Sequence, residues 1–278
     1  MDRVRRAVVA GQFYPAEEGD LQESVRGYLG NRGGEALSMP KALIAPHGPL
    51  ECAGRVAGRA YAELLGYAGR IQRVVLVGPS HRVGFYGMAV PEVDVFQTPL
   101  GCVPLDHAAL DRLIGLPTAF YFDEPHLVEH SLEVQLPFLQ TVLGGFQLLP
   151  VLVGSATVEE VAEALEILWG GPETLVIVSS DLSGGLDFTA AVRRDLCTAE
   201  AIEFLRPAEI KAGDASGYLA IQGLLQVARQ HGLGAETLDL RNSADATGVQ
   251  SSVKGYGAFV FRHWIDVAPR AGLALFDP

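Results

Sequence analysis

Cysteine is scarce in this chain: three in 278 residues, Cys52, Cys102 and Cys197, widely spaced and with no CxxC pair. That excludes a disulfide framework and a Cys-rich zinc site, and it suits a reducing compartment. Long apolar runs are missing too. The basic start Met1-Asp2-Arg3-Val4-Arg5-Arg6 is followed only by Ala7 to Ala10, short of the roughly 7–15 apolar residues of a secretory leader. No stretch approaches the roughly 20 apolar residues of a membrane span. Positive charge is in deficit, 21 Lys+Arg against 33 Asp+Glu and a net charge of −12, which disfavours nonspecific nucleic-acid binding. The expectation is a soluble, cytoplasmic protein with neither nucleic acid nor membrane as partner.

Several motifs are also absent. There is no GxSxG, no P-loop and no Rossmann fingerprint. The glycine pairs Gly33-Gly34, Gly144-Gly145 and Gly170-Gly171 stand alone. No internal repeat, low-complexity tract or linker divides the chain, so a single domain over residues 1–278 is expected. Apolar residues make up 49%, enough for a large core at this length.

What is present is an alternation of short apolar runs and helical patterns. Strands are expected at Ala42–Ala45, Val74–Val77, Leu148–Val153, Leu175–Ser179, Thr237–Leu240 and Ala258–Phe261. Helices are expected at Glu18–Leu29, Gly54–Leu65, Leu105–Ile114, His126–Leu143, Val158–Trp169, Phe188–Phe204 and Tyr218–Gln230. Pro137 should kink or divide the fourth helix, and Thr157 is placed to cap the fifth. The stretch Val83–Pro104 reads as a β-rich excursion. This alternation predicts an α/β fold with a central, mostly parallel sheet flanked by helices.

Two histidines follow strands directly, in Pro46-His47-Gly48 and in Gly78-Pro79-Ser80-His81. Ligands of open α/β sheets bind beyond the carboxyl ends of the strands, and imidazole binds metals or moves protons near neutral pH. Neighbouring strands would bring the pair together at about 5 Å sheet spacing. Alone, His47 reads equally as a turn-capping histidine bonded to backbone. Asp181, in Ser179-Ser180-Asp181-Leu182-Ser183, ends another strand. It would bind a metal or orient an imidazole, or else make an Asx-turn or helix cap. In Glu129-His130-Ser131-Leu132-Glu133, one helix would put His126, His130 and Glu133 near one face, though not in HExxH order. His130 and Glu133 are read as supporting the site from behind, and His126 as a surface residue. Phe13 and Tyr14 are candidate pocket walls, or core.

These segments, in this order, resemble the Memo family, whose bacterial and archaeal members are called AmmeMemoRadiSam system protein B. The resemblance rests on Gly11-Gln12-Phe13-Tyr14-Pro15, Ala45-Pro46-His47-Gly48, Gly78-Pro79-Ser80-His81, Thr98-Pro99-Leu100-Gly101, Glu129-His130-Ser131-Leu132-Glu133, Ser179-Ser180-Asp181-Leu182-Ser183 and Lys254-Gly255-Tyr256-Gly257. It implies a fold like that of class III extradiol ring-cleavage dioxygenases. It implies a metal pocket of His47, His81 and Asp181 with iron or copper as cofactor. It also implies redox activity, with Asp181, His130 and Glu133 as candidate catalytic residues and Phe13, Tyr14, Ser80 and Ser216 as pocket residues. The alternative is a non-catalytic binding or adaptor protein that holds a small acidic or aromatic molecule or a peptide. The family name further implies radical-enzyme system partners.

Two departures bear on the metal. Gly184 stands where the family usually has histidine, and Ser216 where it has the cysteine of a Cys-Gly pair. A metal-free pocket therefore stays open beside the metal site. The third ligand of a two-His, one-carboxylate site is left among Asp181, Glu51 and Asp214.

Overall fold

The computed structural model describes residues 3–30 and 38–263. The pair Gly33-Gly34 lies outside them. Four strands form the centre of one sheet in the order Ala42–Ala45, Thr174–Ser179, Arg73–Pro79, Gln147–Val153, all parallel. The first two are wholly buried, which is why they read as unbroken apolar runs.

The sheet as a whole is mixed, not mostly parallel. Val253–His263 runs antiparallel to Ala42–Ala45 and to Leu233–Asn242. On the other side Met88–Val90 runs antiparallel to Gln147–Val153. The reason is local. Only a short helix, Ala244–Thr247, lies between the two long C-terminal strands, and a short connection between paired strands makes them antiparallel. The excursion after His81 supplies Met88–Val90 and, with Val4–Arg5, a three-stranded sheet of Val4–Arg5, Val95–Thr98 and Gly101–Pro104.

Two groups of helices flank the sheet. Glu18–Leu29, Leu50–Ala62 and Leu136–Leu143 pack together, as do His107–Leu113, Val158–Leu168 and Tyr218–Gln230. Thr157 caps its helix in a reciprocal box with Glu160. No helix of the described residues is long and apolar enough to cross a membrane.

The expected helix over His126–Leu143 is broken. Asp123–Val128 is helical, Glu129 is extended, Glu133–Gln135 is a 3-10 turn, and Leu136–Leu143 resumes the helix with Pro137 in its first turn. Proline is tolerated there because the first-turn N–H has no intrahelical partner. His126, His130 and Glu133 therefore do not share a helix face. His126 is buried, not on the surface. Its Nε2 donates to the Ala89 carbonyl at 3.0 Å.

Candidate functional site

Three strands end together at the site. Ala45 pairs with Ser179 and Val77 with Val178, so His47, Asp181 and His81 all emerge beyond one sheet edge. The two histidine-bearing strands are not neighbours, because Thr174–Ser179 lies between them. The rings still meet over its end, His47 and His81 with centroids 5.0 Å apart.

A third imidazole joins them. His130 stacks on His81 at 5.0 Å and 22° and stands 5.4 Å from His47. One ligand atom from each of the three lies within 4.8 Å of the others. Such atoms surround a point no more than about 2.8 Å from each, against the 2.0–2.1 Å of a metal–imidazole bond. Phe13 covers His130 with rings 4.7 Å apart. His130 reaches the cluster because the chain leaves the helix at Glu129.

His47 is 1% exposed. Burial pushes its pKa down to about 4 against the pull of Asp181, so the imidazole is neutral at pH 7 and keeps a lone pair. A relay decides which nitrogen holds it. Tyr61 Oη donates to Gln135 Oε1 at 2.7 Å, and Gln135 Nε2 donates to Ser179 Oγ at 2.8 Å. The Ser179 hydroxyl gives its proton to the Ser131 carbonyl at 2.6 Å. It can then only accept from His47 Nδ1, 3.1 Å away. The lone pair of His47 is therefore on Nε2, where the Ser216 hydroxyl stands 3.3 Å off.

Asp181 holds the turn that carries His47. Its Oδ1 accepts from the backbone N–H groups of His47 at 2.8 Å and Gly48 at 3.1 Å. Its Oδ2 lies 3.8 Å from His47 Nε2 and 3.5 Å from Lys254 Nζ. Of the other carboxylates considered, Glu51 is exposed on its helix, and Asp214 accepts from the Lys211 backbone. Gly48 packs closely: a Cβ there would lie 2.8 Å from the Tyr256 ring, which would have to shift to admit it.

Glu129 binds the other two rings. Its carboxylate accepts from the N–H groups of His81, His130 and Ser131 at 2.6, 2.9 and 2.9 Å. It also takes His81 Nδ1 at 3.0 Å and has His130 Nδ1 3.1 Å away, outside hydrogen-bond geometry. Burial opposes its ionisation, but the contacts with His130, His81 and the backbone N–H groups outweigh it and hold the carboxyl well below the usual range.

Glu133 and Tyr14 stand apart from the three rings. Glu133 is fully buried, ion-paired to Arg5, and accepts from Tyr14 Oη and from the backbone of Val8 and Val9. Arg5 also donates to the carbonyls of His126 at 2.9 Å and Glu129 at 2.6 Å. Together they tie the N-terminal segment to the loop that carries His130. Burial and the Glu133 charge raise the Tyr14 pKa.

Ser80 donates to the Val83 carbonyl at 2.7 Å. With Ser216, Phe85 and Tyr218 it lines a cleft of about 270 Å³ beside the cluster. Gly184 opens its strand, and a Cβ there would meet only Lys254 Cε within 4 Å, at 3.9 Å. That position therefore has room for a side chain it does not carry.

The sequence carries no sign that Glu129, Gln135, Ser179 and Tyr61 are orienting groups. The first three lie inside segments that the sequence marks, but nothing in their spacing says which imidazole each would meet. Tyr61 has no local signal at all.

Comparison with known proteins agrees with these segments. The family model for Memo-like protein matches residues 5–260. A MEMO1 family protein of Archaeoglobus fulgidus is 34% identical over 93% of this chain and 100% of its own. Those of Aeropyrum pernix and Aquifex aeolicus are 32% and 30% identical, covering 92% and 93% of this chain and 99% of each relative. With strand-end histidines in place and a match over almost the full length, the chain belongs to the Memo-like protein family.

Proposed function

We propose that this protein binds one divalent transition-metal ion through His47, His81 and His130. The observation that carries the reading is the approach of three imidazole ligand atoms to within 4.8 Å of one another. The donor set fits such an ion. Imidazole suits iron, copper, nickel and zinc, and among the described residues no cysteine joins the cluster to favour Cu(I). The carboxylates of Glu129 and Asp181 flank the rings and offset a 2+ charge. Three protein ligands leave a coordination position open, as catalytic sites do.

Iron or copper held there would supply redox chemistry. Asp181 Oδ2, beside His47 and Lys254, is placed to handle a proton or to join as a ligand. The test is metal analysis of protein purified without oxygen, with titration of Fe²⁺ and Cu²⁺. About one ion per chain is expected, with sharply weaker binding in His47→Ala, His81→Ala and His130→Ala. Weak binding that none of the three substitutions changes would sink the reading.

A second reading rests on Ser216. Its hydroxyl stands 3.3 Å from the His47 Nε2 lone pair and 3.4 Å from the Asp181 carbonyl, so turned to the ring it satisfies that nitrogen without a metal. The adjoining cleft would then hold a small acidic or aromatic molecule or a peptide. Binding that survives chelators and fails in His47→Ala separates this from the metal site.

A further inference from the structure

We infer that Glu129 is the positioning residue of the centre: one carboxylate holds His81 and His130 together in the Nδ1–H tautomer and turns both Nε2 lone pairs to the same side. The inference deepens the metal reading and assigns a role to a residue that touches no ligand itself.

The geometry leaves little choice for His81. Its Nδ1 is 3.0 Å from Glu129 Oε1, and an ionised carboxylate can only accept. Nδ1 therefore carries the proton, and Nε2 the lone pair. For His130 the argument is by elimination. Its buried Nδ1 lies 3.1 Å from the same oxygen. A lone pair there would face the lone pairs of a carboxylate, whereas an N–H is attracted even off axis. The near-parallel stacking of the rings, 22° apart, follows from one oxygen serving both.

Glu129 is itself immobilised. Three backbone N–H groups converge on it, one of them from His81, which is 48 residues away in sequence. The carboxylate is thus fixed by the strand-end loop and the broken helix at once, and it transmits that position to both rings. His47 is oriented differently, by the neutral relay through Ser179, Gln135 and Tyr61. The three rings are therefore set by two devices that meet at Ser131, whose N–H donates to Glu129 and whose carbonyl accepts from Ser179. A carboxylate behind a ligating imidazole fixes its tautomer and raises its basicity, and loss of such a partner typically costs 10–100-fold in metal affinity.

The test begins with metal-free protein, so it does not depend on the metal reading. Nitrogen-15 NMR of the imidazoles at pH 8.5, where ordinary histidine is neutral, reads the tautomer of each ring. Pyrrole-like Nδ1 and pyridine-like Nε2 are expected for both His81 and His130. An Nε2–H form of either ring in the native protein overturns the inference, and this arm needs no variant to fold. In Glu129→Leu, which removes both acceptor oxygens, the two rings should lose the fixed tautomer while His47 keeps its own. Zn²⁺ affinity by calorimetry should fall about 10–100-fold. Tautomers unchanged in a folded Glu129→Leu also overturn it. Wild-type tautomers as expected, with no Zn²⁺ binding at all, would sink the metal reading and leave the positioning role standing.

Discussion

Replacing Glu133 by Gln should remove much of the protein's stability margin rather than a catalytic group. Glu133 is fully buried and its partner Arg5 is 1% exposed. The carboxylate also accepts from Tyr14 and two backbone N–H groups. Glutamine keeps the shape but leaves a buried guanidinium without its counter-charge. Breaking a buried pair in this way costs about 3–5 kcal/mol, against a total of about 5–15 kcal/mol for a domain. Urea unfolding of wild type and Glu133→Gln measures the loss directly. The single variant Arg5→Met and the double variant Arg5→Met/Glu133→Gln add the decisive comparison. Independent contributions would sum to about 6–10 kcal/mol, whereas a pair that fails as a unit loses no more in the double variant than in the worse single one. Metal affinity should fall with stability, because Arg5 also holds the carbonyls of His126 and Glu129 that frame the loop of His130. A loss below about 1 kcal/mol, the value of an exposed ion pair, would refute the reasoning. Lost metal binding at full stability would instead return Glu133 to the site role expected from the sequence.

Two further outcomes follow from the packing and the buried histidines. Burial holds His47 at about 4 and His126 at about 3, below the about 6.5 of the unfolded chain. The unfolded state therefore takes up protons that the native state refuses, and stability is lost as pH falls from about 6.5 towards 4. At 1.36 kcal/mol per pH unit for each group, the loss between pH 7 and pH 5 is about 3–4 kcal/mol; a denaturant midpoint that does not move over that interval would contradict it. Gly58→Ala should destabilise by about 1–3 kcal/mol through overpacking, because its Cβ would lie 2.3 Å from the Tyr28 carbonyl oxygen where two helices cross. Thermal unfolding checks this, with Gly19→Ala, which has open space, as the neutral control.

Much of this protein is legible in its residues. The parallel centre shows as unbroken apolar runs, because strands buried on both faces need no alternation. The cap at Thr157 is local and needs no distant partner. His47 and His81 are marked by their places after two such runs. Strand order is another matter. It depends on which strand inserts between which, and Thr174–Ser179 separates the two histidine strands while supplying the serine that orients one of them.

The assembly of the site belongs to tertiary structure alone. The fourfold spacing of His126 and His130 puts them on one face only if the helix continues. It stops at Glu129, whose carboxylate is claimed by His81 from a distant loop. That long-range bond sends His126 into the core, brings His130 to the other two rings, and leaves Glu133 to Arg5. Sequence by itself determined that two imidazoles stand at one sheet edge. Only the folded chain decided that a third joins them, because the groups that hold it lie far apart along the chain and meet only when the sheet has formed.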